Sequence, residues 1–158
     1  MNSSAGRPQF VIVVDDDTVF RGVMCESLER HGFAVRAAEN GLVAKAIFDT
    51  CPADCLLIIS DAQMPVMDGI TLLSHIKQSN QLTKLILMTG LTDAVIEKKA
   101  LDFGVDEILP KPFLASTLLE MIARCLDRDP SCVRSRSPDL KLTKITGKQH
   151  PQPLKRGA

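Results

Sequence analysis

VIVVDDDTVF (residues 11–20) runs four branched apolar side chains directly into Asp15, Asp16 and Asp17. Together with Phe10 the apolar run is continuous rather than alternating, the mark of a strand buried on both faces of a sheet. Adjacent carboxylates repel one another and resist desolvation, so a buried strand needs a reason to end on three of them. One reason is a helix start, with a capping aspartate and an acidic first turn stabilised by the helix dipole. The other is a cation site at a strand end. The rest of the sequence decides between them.

The same arrangement recurs. LLIIS (56–60) delivers a second apolar run onto Asp61, and KLILM (84–88) delivers a third onto Thr89 and Gly90. FAVRA (33–37) and VDEIL (105–109) read as shorter strands, the latter followed by Pro110, Lys111 and Pro112. Helical patterns fill the intervals. Phe20, Val23, Met24, Leu28 and His31 fall at helical spacing and Gly32 closes them. A helix through Ala44, Ile47 and Phe48 ends before Pro52, and ITLLSHIKQ (70–78) follows the loop MPVMDG (64–69). A helix over 93–103 is closed by Gly104, and a last helix spans 113–126. Five strand–helix repeats predict an α/β domain with a parallel sheet and helices on both faces.

At 158 residues the chain holds one domain with a substantial core and is too short for two ordinary ones. The net charge of zero conceals two unlike segments. Residues 1–126 carry 11 Lys/Arg against 16 Asp/Glu, a net −5, whereas residues 127–158 carry 8 against 3, a net +5. The reading divides the chain into a flexible N-terminus (1–8), a folded domain (9–126) and a basic tail (127–158). The tail is rich in Pro, Ser, Lys and Arg without an aromatic residue, so it is expected to be disordered. Within it, DLKLTKI (139–145) alternates and suits a strand against a partner. No run of ~18 apolar residues spans a membrane, and MNSSAGRPQF lacks the apolar core of a secretory signal, so a cytoplasmic location is expected. The cysteines, including Cys51 and Cys55 at C-x3-C spacing, form no zinc-ligand grouping and read as reduced thiols.

In open parallel sheets, sites form at the carboxyl ends of the strands. Here that rim collects Asp15 and Asp16, Asp61, Thr89 and Lys111, with no catalytic histidine or cysteine. Hard oxygen ligands suit Mg²⁺, and a lysine and a threonine hydroxyl suit phosphoryl oxygens beside it. A carboxylate can itself attack phosphorus and form an aspartyl phosphate. Asp61, alone at the end of its strand, is the candidate nucleophile. Asp15 and Asp16 supply the metal, Lys111 counters the charge, and Thr89 donates to the phosphoryl group.

VVDDD (13–17) with Arg21, SDAQMPVMDG (60–69), MTG (88–90) and PKPF (110–113) together resemble the receiver domain of bacterial two-component response regulators, with chemotaxis-Y-like single-domain regulators as the nearest type. The match covers residues 9–126, in order and at compatible spacing. The resemblance implies a doubly wound, flavodoxin-like fold of five strands in the order 2-1-3-4-5 with five helices. It implies phosphorylation of Asp61 by a histidine kinase or histidine phosphotransfer protein. Asp16, Asp61 and the backbone carbonyl of Gln63 would ligate Mg²⁺, with Asp15 acting partly through water, and the Lys111–Pro112 bond would be cis. An unidentified downstream protein would bind through about residues 92–126, and a phosphorylation-dependent dimer is compatible with the family. Thr89 and residue 108 would form the switch. Many members carry an aromatic side chain where this chain has Ile108, which has no ring to swap between exposed and buried states. Leu91, two residues after Thr89, offers no polar group to orient water, so slow loss of phosphate is expected.

The leading expectation is therefore a two-component signalling module without an output domain of its own, not an enzyme beyond its own phosphorylation and dephosphorylation. Two other readings are weighed. A DNA-associated regulator would act through the basic tail, although that tail lacks stacking aromatics and a helix-turn-helix pattern. A Mg²⁺-dependent phosphatase with an aspartyl nucleophile would want a second aspartate where Gln63 stands. Asp17 is expected to cap the first helix, Met64 and Met67 to pack the loop, and Arg21 to be a solvated helix residue.

Overall fold

The computed structural model describes residues 8–90 and 94–127. Five strands form one parallel sheet: β1 (Phe10–Val14), β2 (Ala34–Ala38), β3 (Cys55–Asp61), β4 (Lys84–Thr89) and β5 (Glu107–Pro110). Their order is β2-β1-β3-β4-β5, the doubly wound arrangement expected. The connections are α1 (Thr18–Arg30), α2 (Gly41–Thr50), α3 (Gly69–Ser79) and α4 (Ala94–Asp102), and α5 (Ala115–Asp127) follows the last strand.

Period-two alternation sorts the strand side chains into two cores. Phe10, Ile12 and Val14 face one layer, packed with Phe48 of α2, Leu72 and Ile76 of α3 and Ala100 of α4. Val11 and Val13 face the other, packed with Met24 and Leu28 of α1 and Leu118, Met121 and Ile122 of α5. Every residue of β1 is buried, so its sequence has no polar position to spare. β2 lies at the sheet edge, is largely exposed, and carries the weaker pattern.

Two strands begin later than their apolar runs predict. Gly32 (φ 85°) and Gly104 (φ 80°) adopt the left-handed conformation that ends α1 and α4. The following N–H groups turn back to the helices: Phe33 donates to Leu28 O and Val105 to Ala100 O. Each is thereby committed to closing a helix, and the ladder starts beyond it. A second correction concerns Val23, which helical spacing places on the apolar stripe. It is 62% exposed, and Met24 and Leu28 carry the buried face. The basic tail from residue 128 and Leu91 lie outside the described residues.

Candidate functional site

Because every strand is parallel, the residues just past β1, β3, β4 and β5 share one rim. Val14 pairs with Ser60 across β1 and β3, which brings the next residues, Asp15 and Asp61, side by side. One carboxylate oxygen each from Asp15, Asp16 and Asp61 lie within 4.8 Å of one another. Lys111, one residue beyond β5, places Nζ 2.8 Å from Asp15 Oδ2 and 2.9 Å from Asp61 Oδ1. Its N–H donates to Thr89 O at 2.7 Å, joining the ends of β4 and β5. The Lys111–Pro112 peptide bond is cis, as the resemblance implied.

The three aspartates divide by environment. Asp15 is buried; its Oδ1 accepts from the Asp17 N–H at 2.9 Å and its Oδ2 from Lys111. Asp16 is exposed. Asp17 caps α1, its Oδ1 accepting from the Val19 and Phe20 N–H groups. The opening question therefore resolves into two carboxylates facing the pocket and one helix cap. Arg21 is a correction: its guanidinium donates to the Asp15 carbonyl at 2.5 Å, fastening the first turn of α1 to the pocket instead of reaching into solvent.

Burial pushes the Asp61 carboxyl above the ordinary carboxylate range; Lys111 opposes that shift, and the charges of Asp15 and Asp16 add to it. For Lys111 burial acts downward, but its bonds to Asp15 and Asp61 outweigh it and hold the ammonium above its usual pKa. Three clustered carboxylates therefore share one ammonium, which bonds to Asp15 and Asp61, leaving a local surplus of negative charge in a partly desolvated setting. A divalent cation with hard oxygen ligands removes that surplus, so the donor set fits Mg²⁺. Beside it on β4, Thr89 is fully buried and its Oγ1 has no hydrogen-bond partner among the described residues. A buried hydroxyl without a partner is costly, and here it adjoins the charged rim.

The loop after Asp61 is held close to the pocket. A Cβ on Gly69 would lie 2.2 Å from Asp61 O, and the Gly69 N–H donates to Ala62 O at 3.0 Å. Within the loop the Met67 N–H donates to Pro65 O at 2.8 Å, across Val66 at φ 71°. That three-residue γ-turn is strained for a β-branched residue. Gln63 lies exposed in this loop, while Met64 and Met67 pack against the core. Ile108 is half-buried and packs on the same layer. Sequence reasoning missed an aromatic wall: the Phe20 and Phe113 rings meet edge to face at 5.7 Å, and Lys111 Nζ lies 4.8 Å from the Phe20 centroid. Both residues were visible, Phe20 on a helical stripe and Phe113 in PKPF, but nothing in the sequence said that they meet.

A doubly wound sheet with an acidic pocket and a lysine at its carboxyl rim defines a signalling domain of the receiver class, not a conventional enzyme. Residues 11–123 match the response regulator receiver domain family, and the chain belongs to it. Receiver domains interact with histidine kinases, and this acidic triad is typical of their Mg²⁺ site. Among curated relatives, the chain is 32% identical over 126 residues to PetR of Rhodobacter capsulatus, covering 80% of this chain and 52% of PetR. It is 34% identical over 117 residues to the DNA-binding transcriptional regulator NtrC of Escherichia coli K12, covering 73% of this chain and 24% of NtrC. The chain thus spans about half or less of these relatives. A receiver domain protein from Clostridium thermocellum superposes with a TM-score of 0.72 at 27% identity, covering 76% of this chain and 95% of that one. The chemotaxis protein CheY4 of Vibrio cholerae does so with 0.69 at 30%, covering 76% of this chain and all of that one. No helix among the described residues is long and apolar enough to cross a membrane.

Proposed function

We propose that Asp61 accepts a phosphoryl group from a phosphohistidine on a histidine kinase or histidine phosphotransfer protein, in a Mg²⁺-dependent reaction. The observation that carries this reading is the convergence of three carboxylates, one oxygen of each within 4.8 Å of the others, with the Lys111 ammonium bonded to two of them, Asp15 and Asp61. An Asp61 oxygen attacks phosphorus, the phosphorus–nitrogen bond breaks, and the departing imidazole takes up a proton. Asp16, Asp61 and the Gln63 carbonyl would hold the cation, with Asp15 acting partly through water, and when bound it would screen carboxylate and phosphoryl charge.

Lys111 keeps its bond to Asp15 and counters the charge of the new phosphoryl group. The Thr89 hydroxyl donates to a phosphoryl oxygen and so gains the partner it lacks. Because Thr89 O also accepts from the Lys111 N–H, a shift of Thr89 is passed to the end of β5 beside Ile108. The consequence is binding of a downstream protein through about residues 92–126, with residues 9–126 acting as the receiver unit.

The test is chemical mapping. After incubation with acetyl phosphate and Mg²⁺, borohydride reduction followed by peptide mass spectrometry should find homoserine at position 61. A phosphoryl group mapped to another residue, or no modification, overturns the assignment.

A further inference from the structure

One feature of the fold extends past that site, sharing Gln63 with it and, along α4, part of the surface proposed for the downstream protein. Between the loop after β3 and the helices α3 and α4 lies a groove of ≈ 810 Å³. Met64, Ile70, Ile96 and Phe103 give it an apolar floor, and Phe103 is 48% exposed. Three charged residues stand on its walls: Asp68, Lys99 and Asp102. Its volume is that of a ligand-sized cleft, and so exposed a phenylalanine next to it marks apolar surface left to be covered.

We propose that this groove is the docking site of the chain's own segment 139–145, DLKLTKI, which lies outside the described residues. Three arguments select this occupant. The first is local charge. The segment offers one acid, Asp139, and two bases, Lys141 and Lys144, around Leu140, Leu142 and Ile145. The groove offers one base and two acids around apolar side chains, the complementary count. The second is charge at long range, since residues 1–126 carry −5 and residues 127–158 carry +5, so the tethered tail is attracted to the domain as a whole.

The third is reach. Helices that follow parallel strands run back toward the strands' amino ends, so α4 and α5 finish at the same end of the sheet. Phe103 and Asp102 lie at the end of α4, and the chain leaves the described fold at Asp127, the last residue of α5. Eleven residues lie between Asp127 and Asp139, up to roughly 40 Å when extended. A domain of this size is roughly 35 Å across, so the linker passes the β5 edge with length to spare. The tether keeps the segment at an effective concentration that short flexible linkers raise to about the millimolar range, so modest contacts suffice.

The test uses the full chain and alters only the tail, so folding of the domain is not at stake. Amide hydrogen exchange is compared between the natural chain and a variant with Leu140→Asp, Leu142→Asp and Ile145→Asp. The proposal expects exchange at least threefold faster in the variant across residues 64–71 and 96–103, with the rest of the domain unchanged. It also expects the difference to shrink in 0.5 M salt as the charges are screened. A photo-reactive benzoylphenylalanine at position 142 should cross-link to the groove in a product of single-chain mass. Equal exchange in both chains, or protection confined to another surface, overturns the proposal. A cross-linked product of doubled mass assigns the groove to a second copy's tail and likewise overturns it.

Discussion

The two ends of the sheet handle charge in opposite ways. At the amino end, Asp106 accepts from Lys77 Nζ at 3.2 Å, Lys84 Nζ at 3.4 Å and the Leu85 N–H at 2.9 Å. Close by, the buried Thr83 hydroxyl donates to Cys55 O and accepts from Asn80, so these polar groups are matched. At the carboxyl end three clustered carboxylates share one ammonium, bonded to two of them, and a buried hydroxyl has no partner among the described residues. One end satisfies its polar groups within the fold, and the other leaves a deficit that a cation and a phosphoryl group can fill. Stability and chemistry are therefore expected to separate between the two ends.

The largest effect should come from the satisfied end. Asp106→Ala leaves two ammonium groups facing each other and the Leu85 N–H unpaired, at a cost of about 3 kcal/mol in denaturant unfolding. The rate of phosphorylation by acetyl phosphate should stay within about twofold of the natural chain. A large loss of labelling in that variant would break the division between the ends.

At the other end, Lys111→Met strips the buried Asp15 of its cation and should cost about 2 kcal/mol at neutral pH, while slowing labelling at least tenfold. The folded state raises the Lys111 pKa, so its contribution is full below the unfolded value and disappears as pH climbs through the folded one. The stability gap between natural and variant chains should thus hold from neutral pH to mildly alkaline pH and close at strongly alkaline pH.

Mg²⁺ should stabilise the domain by about 1.4 kcal/mol at ten times its Kd, read as a rise in Tm that chelator reverses. That rise should be lost in Asp16→Ala, which removes an exposed ligand and leaves the core untouched.

The smallest effect runs in the unusual direction. Asp61 has its pKa raised by the fold, so the folded state holds the proton more tightly than the unfolded chain. Stability then falls as pH rises from the unfolded value through the folded one, and the cost persists above it. Without Mg²⁺, Asp61→Asn should therefore raise Tm by about 4 °C at pH 7. The gain should vanish under acid conditions, where both states are protonated. A lower Tm at neutral pH would show that Asp61 stabilises the resting fold.

The sequence made the carboxyl rim legible because its residues stand at or just past the ends of the strands. A continuous apolar run brings the residue at its end to the rim wherever the neighbouring helices fall. That is why Asp15, Asp61, Thr89 and Lys111 could be placed from strand ends alone. Contacts across elements were not legible. Arg21 reaches the Asp15 carbonyl because of the way α1 starts from its Asp17 cap, which periodicity does not fix. Phe20 and Phe113 meet because α1 and the segment after β5 lie on one side of the sheet, a relation fixed by strand order. The Asp106 cluster joins α3, β4 and the start of β5, and as three separate charged residues it carries no signal in the chain. The late starts of β2 and β5 have a similar origin, since hydropathy marks Phe33 and Val105 as apolar but not which hydrogen bond their N–H groups make.

The most direct test of the central claim is intact mass spectrometry after incubation with acetyl phosphate, with Mg²⁺ or with chelator, on the natural chain and on Asp61→Asn. The account predicts a gain of one phosphoryl group by the natural chain in Mg²⁺, and none in chelator or in Asp61→Asn. An equal gain by both proteins, or by neither, would contradict it.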